Sequence, residues 1–209
     1  MSQTPRTEED RAFEVFAGWC AIAVGAGGLV YSITFVTILR GAGRVTVGAN
    51  SVFLLLGGLL STVVLVALYR RLRDASPPFA LWALLLGVIG AAGAAIHGGY
   101  NLANSINPPG LGLAELPNAI DPRGLLTFGV TAISFFAFVL LIFRSGAFPR
   151  GLAYVGYAAA SLSLVLYLGR LVILDPKHPL LLAAAALAGF VVNPAWYIWL
   201  GIELRREPE

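Results

Sequence analysis

Few side chains in this sequence are equipped for chemistry, and four of them fall on one stripe. His97 is followed by Tyr100, Asn101 and Asn104, at spacings of three, four and seven residues, which on a helix share one face. An imidazole that titrates near neutral pH, a phenol and two carboxamides can bind a polar ligand or pass a proton. Ser105 and Asn107 extend the polarity beyond them. Arg170, Asp175 and His178 form a second group, and Glu115 and Asp121 share one connection. Asn193-Pro194 interrupts a late apolar run, with Tyr197 just beyond it. Pro194 lacks an amide donor and displaces the carbonyl of Phe190, so a kink with a polar partner is expected there. Broken helices of this kind line transporter sites. Each feature also has a plainer reading. The stripe can serve interhelical hydrogen bonding, Arg170 and Asp175 an interfacial ion pair, and Pro194 a bare kink.

Missing residues narrow the chemistry further. The sole lysine, Lys177, lies in a connection, so no Schiff-base lysine for retinal is present inside a helix. His178 reads as a surface residue, which leaves His97 without a second haem ligand. Cys20 is the only cysteine and sits in an apolar run, excluding an intrachain disulfide and a cysteine zinc site. The sequence contains no HExxH, GxSxG or Walker-type loop, and no paired carboxylates within an apolar segment. No cofactor and no metal are expected, and catalysis is disfavoured.

The elements that must position these residues follow from composition. Of 209 residues, 58% are apolar and 12% charged, and the mean hydropathy is +0.81. A soluble domain carries a charged coat of roughly 25%, so the solvent of this chain is lipid. Spanning the hydrocarbon takes ~20 apolar residues as a helix. Six segments qualify, at about 13–39, 47–69, 79–104, 124–143, 151–174 and 179–202. Backbone amides in lipid must bond within their own segment, and no period-two pattern suggests a barrel. The expected fold is therefore all-α: a polytopic bundle of six transmembrane helices between short tails, 1–12 and 204–209.

Punctuation and charge refine this scheme. Ser76-Pro77, Asp121-Pro122 and Phe148-Pro149 mark helix starts, and Gly146 a left-handed C-cap. Gly25 and Gly28, Gly57-Gly58, the set Gly87, Gly90, Ala91, Ala94 and Gly98, and the run Ala183–Ala186 read as packing seams. Tyr154, Tyr157, Tyr167, Trp196, Tyr197 and Trp199 read as packing or interfacial belt. Glu8, Glu9, Asp10 and Glu14 precede the first apolar stretch, unlike the basic start of a cleavable signal. Leu111, Leu113, Leu116 and Ile120 suggest that the 105–121 connection rests on the interface or caps the bundle.

The turn Ile142-Phe143-Arg144-Ser145-Gly146-Ala147-Phe148-Pro149-Arg150-Gly151-Leu152, with Leu68-Tyr69-Arg70 and Pro78 in the preceding hairpin, resembles an uncharacterised family of bacterial six-helix membrane proteins. Members of that domain of unknown function carry a similar Phe-Arg-Ser-Gly-x-Phe-Pro-Arg turn between helices four and five. The resemblance spans about 13–203 and implies a bacterial inner-membrane protein. It brings no activity or catalytic residues.

The expected function is non-catalytic. An outward-opening recess around His97, Tyr100, Asn101 and Asn104, with Arg170, Asn193 and Tyr197 as further lining, would bind or pass a small or lipophilic ligand. The alternative is a structural or regulatory subunit whose partner is another membrane protein or a second copy. Membrane lipids surround either, and nucleic acid is excluded. Of the fourteen basic residues, nine fall in the two tails and the 70–78 and 144–150 connections, and five on the other face. By the positive-inside rule both termini are cytoplasmic. A cysteine placed at Glu115 is then expected to react with an impermeant maleimide applied outside intact cells; protection there would reverse the orientation.

Overall fold

The computed structural model describes residues 8–39, 41, 43–107, 122–173, 175 and 178–206. Six long helices make up almost all of it. They are α1 (Glu8–Leu39), α2 (Arg44–Leu72), α3 (Pro77–Ile106), α4 (Leu125–Ser145, led in by the turn Pro122–Gly124), α5 (Arg150–Ile173) and α6 (Pro179–Arg205). Each is long and apolar enough to cross a bilayer, and there is no strand among the described residues. The helices outrun the apolar segments at most ends. A helix of 30 residues such as α3 is ~45 Å long, against a hydrocarbon core of ~30 Å. Its ends therefore reach the headgroups, where polar side chains continue it. At α1 the extension begins at Glu8, Glu9 and Asp10, whose negative charge suits the positive end of the helix dipole.

The terminal signals act much as their chemistry requires. Ser76 is extended and Pro77 opens α3, and Gly146 closes α4 with φ at 65°. Pro149 precedes α5 instead of opening it, because its carbonyl accepts from the Leu152 amide at 3.0 Å. The expected break at Asn193-Pro194 takes the form of a widened π-helical turn, Ala188–Val192, in which the Asn193 amide reaches back to the Ala188 carbonyl. Shifting the register by one residue before the proline absorbs its missing donor. A second π-helical turn, Leu125–Val130, starts α4. The capping residues Leu111, Leu113, Glu115, Leu116, Ile120 and Asp121 lie outside the described residues, as do Arg6, Arg40 and Lys177.

Glycine sets how closely the helices meet. A Cβ built on Gly58 would lie 2.5 Å from the Ala91 carbonyl oxygen, and one on Gly98 would lie 2.6 Å from that of Ser51. These contacts weld α2 to α3. Gly18 and Gly201 do the same for α1 and α6, each too close to the other's carbonyl to admit a side chain. Gly90 and Gly93 press onto Thr131 and Leu126 of α4, while Gly151 and Gly156 seat Trp199 and Trp196 against α5. The Ala183–Ala186 run is a seam only in part, since Ala184 is buried but Ala183 and Ala186 are exposed.

One end of the bundle is tied by charge. Arg71, at the end of α2, makes paired contacts with Glu14 of α1, Nε to Oε1 at 3.2 Å and Nη2 to Oε2 at 2.8 Å. Their side chains are only 6% and 5% exposed. Arg71 also donates to the Leu204 carbonyl at 3.3 Å, and Arg11 donates to the Arg205 and Arg206 carbonyls. Unpaired carbonyls at the end of α6 are thereby satisfied. Asp10 pairs with Arg70, and the Arg71 guanidinium lies 5.5 Å from the Phe148 ring in the α4–α5 turn. The four basic segments thus gather at one end. Removing one partner of a buried pair leaves a stranded charge, at a cost of about 3–5 kcal/mol. Glu14→Ala or Arg71→Ala should lower the thermal unfolding midpoint sharply, whereas Glu14→Leu with Arg71→Met should recover most of it. Strictly additive losses would show that the pair is not coupled.

Candidate functional site

A cavity of about 200 Å³ lies at the centre of the bundle, and all six helices contribute to its wall. It exists because the helices fail to close where glycines face inward. A Cβ on Gly28 of α1 or Gly57 of α2 would meet no heavy atom within 4 Å, although Gly58, one residue on, is jammed against α3. The volume exceeds the ~150 Å³ of an engineered apolar cavity that binds benzene. It falls short of the ~300–1,000 Å³ of pockets for drug-sized ligands. Among the described residues no charged side chain lines it.

Most of the wall is apolar, and an aromatic group forms its α4–α6 side. Phe135 meets Trp196 edge-on at 4.6 Å between centroids, and Trp196 meets Tyr197 at 4.9 Å. Trp196 is 1% exposed, so it belongs to the core and not to an interfacial belt. Hydroxyls from five helices punctuate the wall. Ser61 donates to the Gly57 carbonyl at 2.7 Å and pairs with Tyr197; its own proton being committed, the Tyr197 hydroxyl is the donor of that pair. Ser134 donates to the Ala83 carbonyl at 2.8 Å. Three lining residues differ. Thr127 Oγ1, Asn193 Oδ1 and Trp196 Nε1 are buried with no hydrogen-bond partner among the described residues. Thr127 lies in the π-helical turn of α4, and Asn193 directly follows that of α6. Such turns break the regular carbonyl ladder to which a helix threonine usually donates.

The sequence-derived site residues divide between two places. Asn193 and Tyr197 line the cavity; His97, Tyr100, Asn101, Asn104 and Arg170 lie outside its lining. Gly90 and Gly93 turn one face of α3 towards α4, and His97 continues that face at helical spacing. Tyr100 is 51% exposed, with the Arg123 guanidinium 4.1 Å above its ring. Asn101 and Asn104 are half-buried on the outer half of α3, and Arg170 is half-buried near the end of α5. Thr127, Ser61, Ser134 and Ser163 carry no sequence signal, being scattered hydroxyls within apolar spans. Asn193, legible beside its proline as a break in the helix and expected to line the recess around His97, lies at the central cavity instead. Among the described residues no group of three His, Cys, Asp or Glu side chains is placed to hold a metal ion.

No protein-family model, no curated protein and no solved structure matches this chain. The chemistry of the site is accordingly that of its own residues.

An unsatisfied buried acceptor and a satisfied donor respond oppositely to truncation. Thr127→Val keeps the shape and removes the stranded oxygen, and should leave stability unchanged or raise it by up to about 1 kcal/mol. Ser61→Ala strands the Tyr197 hydroxyl and should cost about 1–3 kcal/mol. Thermal unfolding of the two variants in the same detergent checks the contrast; equal losses would place a partner on Thr127.

Proposed function

We propose that this multi-pass membrane protein is non-catalytic and holds an uncharged, lipophilic small molecule in its central cavity. The observation that carries the reading is a mainly apolar space lined by no charged side chain among the described residues, in which Thr127 Oγ1, Asn193 Oδ1 and Trp196 Nε1 lack partners. An ion moved into such surroundings costs several kcal/mol unless paired, so the ligand is neutral. A carboxamide oxygen only accepts, so a ligand hydroxyl or N–H is the natural complement to Asn193. The body of the ligand is hydrocarbon, matched to the aromatic and aliphatic wall. A nucleophile with an adjacent base is not among the lining residues, which supports binding over turnover. In the same reading the end bearing Arg11, Arg71 and Arg206 faces the cytoplasm of a bacterial inner membrane, following the positive-inside rule.

Gly57 offers a direct test, since a side chain there enters the cavity without a clash. Mass spectrometry of molecules retained by the purified protein should find a neutral lipophile in the wild type. Gly57→Leu should lose it while folding normally, and His97→Ala/Asn101→Ala should keep it. Loss in the His97/Asn101 variant with retention in Gly57→Leu would move the site to the outer half of α3. An empty wild type would sink the ligand reading in favour of a role through partner contacts.

A further inference from the structure

The central cavity has a neighbour on the lipid side of the bundle. Between α1 and α2 runs a groove of about 310 Å³ lined wholly by apolar residues, among them Ala23, Ala26, Val30, Leu56 and Leu60. Val24, Phe53 and Gly57 line both the groove and the cavity. Val24 and Phe53 are therefore the side chains that stand between the two spaces, and Gly57 adds none. A Cβ on Gly27 would touch Phe53 Cδ1 at 3.5 Å, so with glycine at that position the ring has free space on its α1 side.

Depth identifies what fills the groove. Its residues lie near the middle of α1, which runs Glu8–Leu39, and of α2, which runs Arg44–Leu72. Both helices outspan the ~30 Å hydrocarbon core, so their middles sit near the bilayer midplane. Ala23, Ala26, Val30 and Leu56 are exposed on the outside of the bundle, and at that depth they face the ends of lipid alkyl chains. An approach from the basic end is closed by the buried Arg71–Glu14 pair and the Arg11 contacts to α6. A neutral lipophile gains nothing by crossing that charged layer.

We propose that the α1–α2 seam is a lateral portal through which a hydrocarbon chain passes from the bilayer midplane into the central cavity, with Phe53 as the side chain that closes it. The proposal rests on the cavity being a ligand site and adds the route and the chemical class of the occupant. Rotation of one phenylalanine joins the two spaces without separating the helices, because α1 and α2 stay tied on either side of the groove, by Glu14–Arg71 and Asp10–Arg70 at one end and by Asn50 donating to the Tyr31 carbonyl towards the other.

The test uses the full chain in phosphatidylcholine vesicles containing a phosphatidylcholine with a photoreactive diazirine near the methyl end of one acyl chain. Adducts are mapped by peptide mass spectrometry, with exposed Val165 in the middle of α5 as the measure of ordinary lipid contact. The wild type should carry adducts on the groove, at Ala23 or Leu56, and also inside, at Tyr197 or Ser61. Ala26→Phe fills the groove without altering the cavity lining and should reduce the inner adducts to background, leaving Val165 unchanged. Phe53→Ala should raise the inner adducts severalfold. Inner adducts that persist in Ala26→Phe overturn the portal and leave the cavity as a binding site. Absence of inner adducts from the wild type overturns the portal if a neutral molecule is still retained on purification, and removes both readings if none is. A groove without adducts, as a second copy seated on α1 and α2 would produce, also overturns the proposal.

Discussion

Helices in a bilayer are not driven together by the hydrophobic effect, because lipid tails are as apolar as the side chains they would replace. What remains is close backbone contact, and in this protein that contact is made at glycine. Gly58 and Gly98 bring α3 onto α2, and Gly18 with Gly201 brings α6 onto α1, at distances that no Cβ would tolerate. These seams fix α1 and α2 each to a different neighbour, while Glu14–Arg71 and the Asn50 bond to the Tyr31 carbonyl tie the two to each other towards their ends. Between those ties the α1–α2 face stays partly open around Gly28 and Gly57, and the cavity and its lipid-side groove both depend on that. The same residue type closes the bundle in one place and hollows it in the next.

Charge and neutral polarity are kept apart along the bundle. At the basic end Glu14, Arg71, Arg11 and Glu203 are buried or half-buried and supplied with partners. Charged groups withdrawn from water demand that much, since an unpaired ion is far costlier than an unpaired hydroxyl. Around the cavity only uncharged groups occur among the described residues, and three atoms, Thr127 Oγ1, Asn193 Oδ1 and Trp196 Nε1, go without a partner. A neutral polar group is a deficit small enough for the fold to carry, and a ligand or a water can supply what it lacks. The two π-helical turns belong to this arrangement, as each sits at or directly before one of these residues.

The architecture was largely legible from sequence, and the site only in part. Six apolar segments, Ser76-Pro77, the left-handed Gly146 and the disturbance at Asn193-Pro194 all announce local backbone requirements that neighbours do not override. Gly57 and Gly58 show where that legibility stops. Adjacent and identical, they read as one seam, yet one is packed against Ala91 and the other faces empty space. Glu14 likewise reads as a boundary residue, and its burial follows only from the position of Arg71, 57 residues later. The stripe on α3 is legible because its polarity is concentrated on one element, whereas the cavity has no such signature because its hydroxyls are spread thinly over several helices.

By itself the sequence determined the solvent, the number of crossings and where the chain turns, because hydropathy, proline and glycine act over a few residues. It also limited the interior to neutral chemistry by withholding charge from the spans. Tertiary structure alone decided which helices touch, which glycines face a wall and which a void, and so where the few polar side chains converge. The physical reason is that helix rotation about its axis is set by partners far away in the chain. In a span apolar on nearly every side, no local amphipathic pattern states in advance which face will be inside.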